Sequence, residues 1–134
     1  MRVGRALGQG MSAVDRKVLV IASGALSHTF YPLRQLRQHE ASDPSHIFSR
    51  EAYAADMERL EWFKAGDHAR VLHTMAEFLA FKPEARFAHY LMMIAALGGR
   101  DVKARARQCS DYENSIGTGQ VNLWFDRPEG GWTA

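Results

Sequence analysis

Residues 17–30 have the sequence KVLVIASGALSHTF, and this stretch decides the predicted fold. Its aliphatic residues, 18–21, follow one another without polar alternation, which is typical of a strand buried on both faces of a parallel or mixed sheet. Small residues at 22–25 then end the strand. Ligands of open α/β sheets bind beyond the carboxyl ends of the strands, and small residues let them approach the backbone there. We therefore expect His28 to lie beside a ligand.

Further elements are predicted on both sides of this stretch. Val3, Leu7 and Met11 are spaced four apart and indicate an amphipathic helix over residues 2–15, which the glycines among them weaken. The chain after the central stretch is predicted to form a loop over 31–49, helices over 49–65, 67–82 and 83–97, and strands over 104–109 and 120–125. The expected fold class is α/β, a partial mixed sheet with packed helices.

Local signals mark where several of these elements begin and end. Ser49 and Asp67 are predicted helix N-caps, and Gly66 is a predicted helix stop. Between the last two strands, the sequence SIGTG at 115–119 has glycines that allow positive φ. This sequence fits a plain hairpin or a loop whose amides approach a ligand.

Composition limits the possible classes of protein. The 134 residues are 46% hydrophobic, which indicates one small globular domain. No apolar run is long enough to span a membrane and no signal peptide is recognisable, so we expect a cytoplasmic protein that does not engage a membrane. The net charge is only +2, and a basic cluster over 100–107 lacks interleaved aromatic residues, so no nucleic-acid partner is expected. The single cysteine, Cys109, excludes an internal disulfide.

Two residues are candidates for chemistry. His28 can transfer protons near neutral pH, although a histidine that is simply hydrogen-bonded in a turn would also fit. Glu84 is predicted just inside the amino terminus of the third helix, where the helix dipole alone explains a carboxylate. The functional alternative for Glu84 is a metal ligand or a base. The other histidines have no metal-binding spacing, and those at 68, 73 and 89 are expected on helix surfaces or hydrogen-bonded in the core.

Several motifs resemble the class III extradiol ring-cleaving dioxygenases of the LigB-type superfamily. The similar segments are ASGALSHTF at 22–30, the helical block over 49–81, PEARFAHYLMMIAALGG at 83–99 and SIGTGQVNLWF at 115–125. Within this superfamily the chain most resembles the carboxyl-terminal half of the 3,4-dihydroxyphenylacetate 2,3-dioxygenase branch. Residues 1–134 would thus be the carboxyl-terminal part of one catalytic domain whose amino-terminal half is absent.

The resemblance implies a non-haem iron(II) site that binds a catechol-type substrate together with dioxygen. It assigns Glu84 as the carboxylate ligand of the iron and His28 as the acid/base that deprotonates the catechol. The two histidine ligands of the family match no histidine here and are expected outside this chain. The product would be a ring-opened semialdehyde from an aromatic catabolic substrate.

The resemblance also allows two kinds of assembly. The chain would form a homo-oligomer or associate with the missing half, because an incomplete sheet leaves open edges. The alternative to an enzyme is a non-catalytic structural subunit, or an inactive gene fragment, of the same superfamily.

Overall fold

The computed structural model describes residues 1–133 as a mixed α/β fold with about half of its residues in helices. The five α-helices are α1 (Arg2–Ser12), α2 (Arg50–Ala65), α3 (His68–His73), α4 (Met75–Phe78) and α5 (Ala88–Leu97). The four strands are β1 (Ala106–Gln108), β2 (Glu113–Ser115), β3 (Thr118–Gln120) and β4 (Leu123–Phe125). Short 3-10 turns span Leu33–Gln38, Pro44–His46, Leu79–Phe81, Glu84–Phe87 and Gly99–Asp101. The predicted α/β class is confirmed.

The strands form two antiparallel pairs. β1 pairs with β4 in the register Ala106↔Phe125, and β2 pairs with β3 in the register Glu113↔Gln120. The β2–β3 hairpin turns through Ile116 and Gly117, whose φ values of 50° and 99° are both positive. Two successive positive φ values suit a tight two-residue hairpin turn, so SIGTG forms a hairpin, which is one of the two possibilities that the sequence left open. The strands predicted over 104–109 and 120–125 are confirmed at β1 and β4, in shorter form.

The buried strand predicted at residues 18–21 is wrong. Residues 17–25 have no regular secondary structure, and the side chains of Val18, Leu19 and Ile21 are 49%, 63% and 77% exposed. A strand forms only where a neighbouring strand accepts its backbone hydrogen bonds. The described residues place no such neighbour here, so we call residues 17–24 the open segment.

Sheet pairing begins after the open segment instead. The N–H of Leu26 donates to the carbonyl of Gly119 (2.9 Å), and the N–H of Gly119 donates to the carbonyl of Ser27 (3.0 Å). His28 continues this bridge opposite Thr118. Residues 26–28 therefore run antiparallel to β3, and the predicted position of His28 at the end of a buried strand is corrected.

Local capping signals define α2 as expected. The Ser49 hydroxyl accepts the N–H of Ala52 (3.1 Å), and Gly66 ends the helix with φ of 74° in the left-handed region. The Asp67 carboxylate likewise accepts the N–H of Arg70 (3.0 Å) at the start of α3. These interactions lie within one helical turn of each other in sequence, which is why the sequence predicts them correctly.

The two later helices are shorter than predicted. The helix expected over 67–82 breaks at Thr74, whose hydroxyl donates to the carbonyl of Arg70 (3.0 Å) and whose own carbonyl accepts a hydrogen bond from buried Arg59 (3.2 Å). The backbone departs from helical geometry at this residue (φ −93°, ψ 16°), although the N–H of Thr74 still donates to the Arg70 carbonyl and the N–H of Phe78 to the Thr74 carbonyl. The helix expected over 83–97 begins only at Ala88, because residues 85–87 have φ between 48° and 62°.

The core lies between α2, α3, α5 and the β1–β4 pair. Its largest fully buried side chains include Phe63, Phe78, Phe87, Ile94 and Val71. α1 packs across α5 through glycines, since a Cβ at Gly4 or Gly8 would collide with the carbonyl oxygen of Met92 or Ala96. None of the helices that the structure describes combines the length and apolarity needed to cross a bilayer.

Candidate functional site

The candidate site is built on residues 25–28, whose four successive backbone N–H groups donate to four different residues in three parts of the chain. These bonds join Ala25 to Oε2 of Glu84 (2.7 Å), Leu26 to the carbonyl of Gly119 (2.9 Å), Ser27 to Oδ1 of Asp56 (2.9 Å) and His28 to the carbonyl of Phe81 (3.2 Å). A backbone held at every N–H has little freedom to move. We call residues 25–28 the clamped segment.

The clamped segment brings His28 to Glu84. Nε2 of His28 lies 3.9 Å from Oε2 of Glu84, and the two side chains are 25% and 45% exposed. The imidazole ring is also packed edge-on against Phe30, with ring centroids 4.4 Å apart. The two residues singled out from the sequence are therefore neighbours, although they are distant in the chain.

Glu84 reaches this position through an unusual backbone. It precedes three consecutive residues in the left-handed region, Ala85, Arg86 and Phe87, with φ values of 48°, 55° and 62°. Each such residue carries a steric cost for a side chain with a Cβ. The predicted location of Glu84 at the amino terminus of a helix is wrong, because α5 begins four residues later. The helix dipole consequently does not explain this carboxylate, whereas the amide of Ala25 provides a direct hydrogen bond.

Both side chains face a cleft of about 1420 Å³. It is lined by the open segment together with residues of α5 and of the β3–β4 region. Aromatic side chains contribute to the lining, among them Phe30, Phe87, Trp124 and Trp132. The cleft is thus large and partly apolar, with a carboxylate and an imidazole at one place on its surface.

A third titratable residue, His89, lines the same cleft. Its ring lies directly against Gly24, where a Cβ would collide with it, and contacts Phe87 with centroids 5.0 Å apart. Burial lowers the pKa of His89, and the charge of Glu84 opposes this only in part. We expected His89 on a helix surface or in the core, so its place beside the cleft was not predicted from the sequence.

The remaining histidines lie away from the cleft. His68 is buried and hydrogen-bonded as expected, with Nε2–H donating to the carbonyl of Ala104 (2.8 Å) and Nδ1 accepting from Tyr90 (2.9 Å). His73 is exposed on α3. His39 stacks on Tyr31 with centroids 3.8 Å apart and contacts His46 edge-on.

Sequence reasoning missed Asp56, a fully buried carboxylate on α2. Burial raises the pKa of Asp56, against hydrogen bonds from Tyr112 and Ser27 that act in the other direction. The only sequence signal was an acidic residue between Ala55 and Met57 on the face of α2 that packs inward. Other acidic residues of α2 are exposed, so this signal was weak.

The described residues do not by themselves fit a complete iron site. Glu84 provides one carboxylate that faces a cleft, which suits a single ligand of a 2-His-1-carboxylate centre. Across residues 1–133 no group of three or more His, Cys, Asp or Glu side chains is arranged to hold a metal ion. Any iron bound at Glu84 would need ligands from another polypeptide segment.

Comparison with known proteins gives one result. Residues 1–126 match the sequence model of a family described as the catalytic LigB subunit of aromatic ring-opening dioxygenase. No individually curated protein matches the chain. The family match covers the clamped segment, Glu84, α1–α5 and both strand pairs.

Proposed function

The chain belongs to the LigB family of aromatic ring-opening dioxygenases, and from this membership we propose that it takes part in extradiol (meta) cleavage of a catechol-type ring by dioxygen. The substrate is 3,4-dihydroxyphenylacetate or a related catechol from aromatic-compound catabolism, processed in the cytoplasm at a non-haem iron(II) centre. The observation that carries the proposal is the approach of His28 to Glu84 at one cleft.

His28 is the acid/base in this proposal. Its Nε2 atom faces the cleft and stands 3.9 Å from a carboxylate, so positive charge that the imidazole gains is stabilised by the opposite charge nearby. A catechol hydroxyl that binds at this surface transfers its proton to Nε2. Phe30 restricts the rotation of the ring and orients it toward the substrate.

Glu84 is the carboxylate ligand of the iron. Its Oε2 atom is anchored by the Ala25 amide, which fixes the side chain at the cleft while nearly half of its surface stays accessible. Iron(II), when bound there, would supply the Lewis-acid and redox chemistry needed for dioxygen to react with a catecholate. The two histidine ligands come from outside this chain.

The open segment supports the proposal that another polypeptide segment completes the domain. Its aliphatic side chains are exposed, and they form one wall of the cleft that contains Glu84. In this proposal, residues 1–134 form the carboxyl-terminal part of one extradiol dioxygenase domain, and the amino-terminal half, on a separate polypeptide segment, pairs with the open segment.

The test is anaerobic loading with iron(II), followed by 3,4-dihydroxyphenylacetate and air, with detection of the yellow ring-opened product. The chain is assayed alone and after co-expression with a LigB-family segment that carries two histidines on loops after strands. We expect stoichiometric iron and product only in the completed complex, because one carboxylate does not make a tight ferrous site.

Two outcomes would contradict the proposal. Stoichiometric iron and colour from the chain alone would show that a complete site forms without outside ligands. A completed complex that binds iron but forms no product would favour the alternative, a non-catalytic structural subunit or inactive fragment. The absence of a three-ligand group among residues 1–133 is the observation behind that alternative.

A further inference from the structure

We propose that Asp56 is a positioning residue, which holds the clamped segment so that His28 and Glu84 stay side by side at the cleft. This inference rests on the proposed function, because it concerns the same two side chains. It adds a residue on α2 that touches neither the substrate nor the iron.

The contacts of Asp56 are concentrated on the middle of the clamped segment. Oδ1 accepts the backbone N–H of Ser27 (2.9 Å), and Oδ2 accepts the Ser27 hydroxyl (2.7 Å). Both residues are almost completely buried, at 0% and 1% exposure. A carboxylate that binds both the backbone and the side chain of one residue fixes its position and its orientation together.

Fixing Ser27 also fixes its neighbours on both sides. His28 pairs opposite Thr118 and lines the cleft, whereas the adjacent side chain of Ser27 is bonded to Asp56 and does not line it. Two residues before Ser27, the N–H of Ala25 holds the Glu84 carboxylate at 2.7 Å. Asp56 thus acts on both site residues through one short stretch of backbone.

A third donor shows that the pocket around Asp56 is built for a carboxylate. The Tyr112 hydroxyl donates to Oδ2 (2.6 Å), so three hydrogen bonds converge on the two oxygen atoms. Gly119 borders the same oxygen atom, and a Cβ there would collide with Oδ2 and with the Tyr112 hydroxyl. The strand that pairs with the clamped segment is therefore shaped to leave room for this cluster.

Stability alone does not account for a charge at this position. Burying a carboxylate is costly even when it is hydrogen-bonded, and an apolar side chain usually fills a helix–sheet interface more favourably. Burial indeed raises the pKa of Asp56, which reports that cost. What the carboxylate provides is directional bonding to Ser27, which an apolar residue would not supply.

The test uses amide NMR on the purified chain and requires neither iron nor substrate. Asp56→Asn keeps the size of the side chain but replaces one acceptor oxygen with a donor NH₂ group. We expect amide exchange at Ala25 and His28 to accelerate about ten- to hundredfold, in line with losing a charge-assisted buried hydrogen bond. The chemical shift of the Ala25 amide proton should also move toward the value that it has in Glu84→Gln, since both variants weaken the hydrogen bond from Ala25 to Glu84.

Ser49→Ala is the matched control on the same helix. It removes the N-cap of α2 and lowers overall stability, but Ser49 has no bond to the clamped segment. We expect Ser49→Ala to leave the chemical shift of the Ala25 amide proton unchanged. Any change in the amide exchange rates of Ala25 and His28 should be no larger than the change at other core amides. If Asp56→Asn does not fold, Tyr112→Phe removes one of the three donors and should produce a smaller effect in the same direction.

The inference is overturned if the folded variant, Asp56→Asn or Tyr112→Phe, changes the amide exchange rates of Ala25 and His28 no more than Ser49→Ala does. This result is independent of turnover. A completed complex that is inactive, or that is unaffected by loss of His28, would instead overturn the proposed function while leaving the exchange data interpretable.

Discussion

His68 illustrates how burial at a single residue makes stability depend on pH. Burial lowers the pKa of His68, and Nδ1 and Nε2 already have partners in the neutral form. At a pH below 6.5, the ordinary pKa of a histidine side chain, the unfolded chain binds a proton at this residue that the folded chain does not. Stability therefore falls as pH drops from there, by at most about 1.4 kcal/mol per pH unit for this group.

His68→Gln should make this dependence shallower. The glutamine amide donates to the Ala104 carbonyl, its oxygen accepts from Tyr90, and it does not titrate. Urea unfolding at about pH 7.5 and about pH 5.5 measures the difference. His73→Gln, at an exposed position on α3, serves as the control. It should leave the pH dependence of the free energy of unfolding as in the wild type. Equal slopes for wild type and His68→Gln would contradict this account.

Residue-level sequence reasoning selects side chains by their individual chemistry. His28 and Glu84 were selected from the sequence, and the structure brings them within 3.9 Å. Asp56 was missed because its local sequence signal is weak and its partners Ser27 and Tyr112 come from distant positions. The roles of His28 and Glu84 remain predictions.

At the scale of elements, α1 and α5 pack closely because α1 carries glycines at the crossing. A Cβ at Gly8 would meet the Ala96 carbonyl oxygen, whereas a Cβ at Gly10 has nothing within 4 Å. The sequence indicated only that these glycines weaken the helix. Their role in packing depends on a helix more than eighty residues away and has no local signal.

Gly8→Ala and Gly10→Ala should therefore have opposite effects. We expect Gly8→Ala to destabilise the fold by about 1–3 kcal/mol through overpacking. Gly10→Ala should stabilise it by up to about 1 kcal/mol, because alanine has the higher helix propensity and meets no obstacle. Chemical denaturation of both variants provides the measurement, and loss of stability in Gly10→Ala, or none in Gly8→Ala, would refute the packing described here.

Helices, turns and strands were predicted more accurately where the residues that stabilise them are close together in sequence. α2 and the β2–β3 turn depend on residues within a few positions of each other, and both were predicted. Residues 18–21 have strong strand propensity, but a strand also needs a distant partner, and the described residues offer none. The start of α5 was misplaced because left-handed residues 85–87 carry no glycine to reveal them.

At the scale of the whole molecule, exposed apolar residues cluster near the beginning of the chain. Val18, Leu19 and Ile21 of the open segment are joined by Val3, Leu7 and Val14, and all are at least 49% exposed. A continuous exposed run of aliphatic residues without charge or proline promotes association between chains. We expect the isolated chain to self-associate through this segment.

Leu19→Ser combined with Ile21→Ser should reduce that self-association. The side chains are 63% and 77% exposed, so their replacement should change the free energy of unfolding by no more than about 0.5 kcal/mol. Analytical ultracentrifugation, under reducing conditions because Cys109 is exposed, reports the change. Leu33→Ser, at a residue that is 87% exposed outside the segment, is the control. A wild-type chain that is monomeric throughout, or a double variant that associates as strongly, would be evidence against this role.

The central claim is that His28 and Glu84 act together at one site, and a double-mutant cycle in the completed complex tests it most directly. The measurement is kcat/KM for ring opening in His28→Ala, Glu84→Gln, the double variant and the exposed control His73→Ala. We predict that each single variant loses at least about a hundredfold, that the double variant is little worse than the poorer single one, and that the control is unaffected. Single variants within a fewfold of the wild type, or losses that multiply as for independent residues, would contradict the claim.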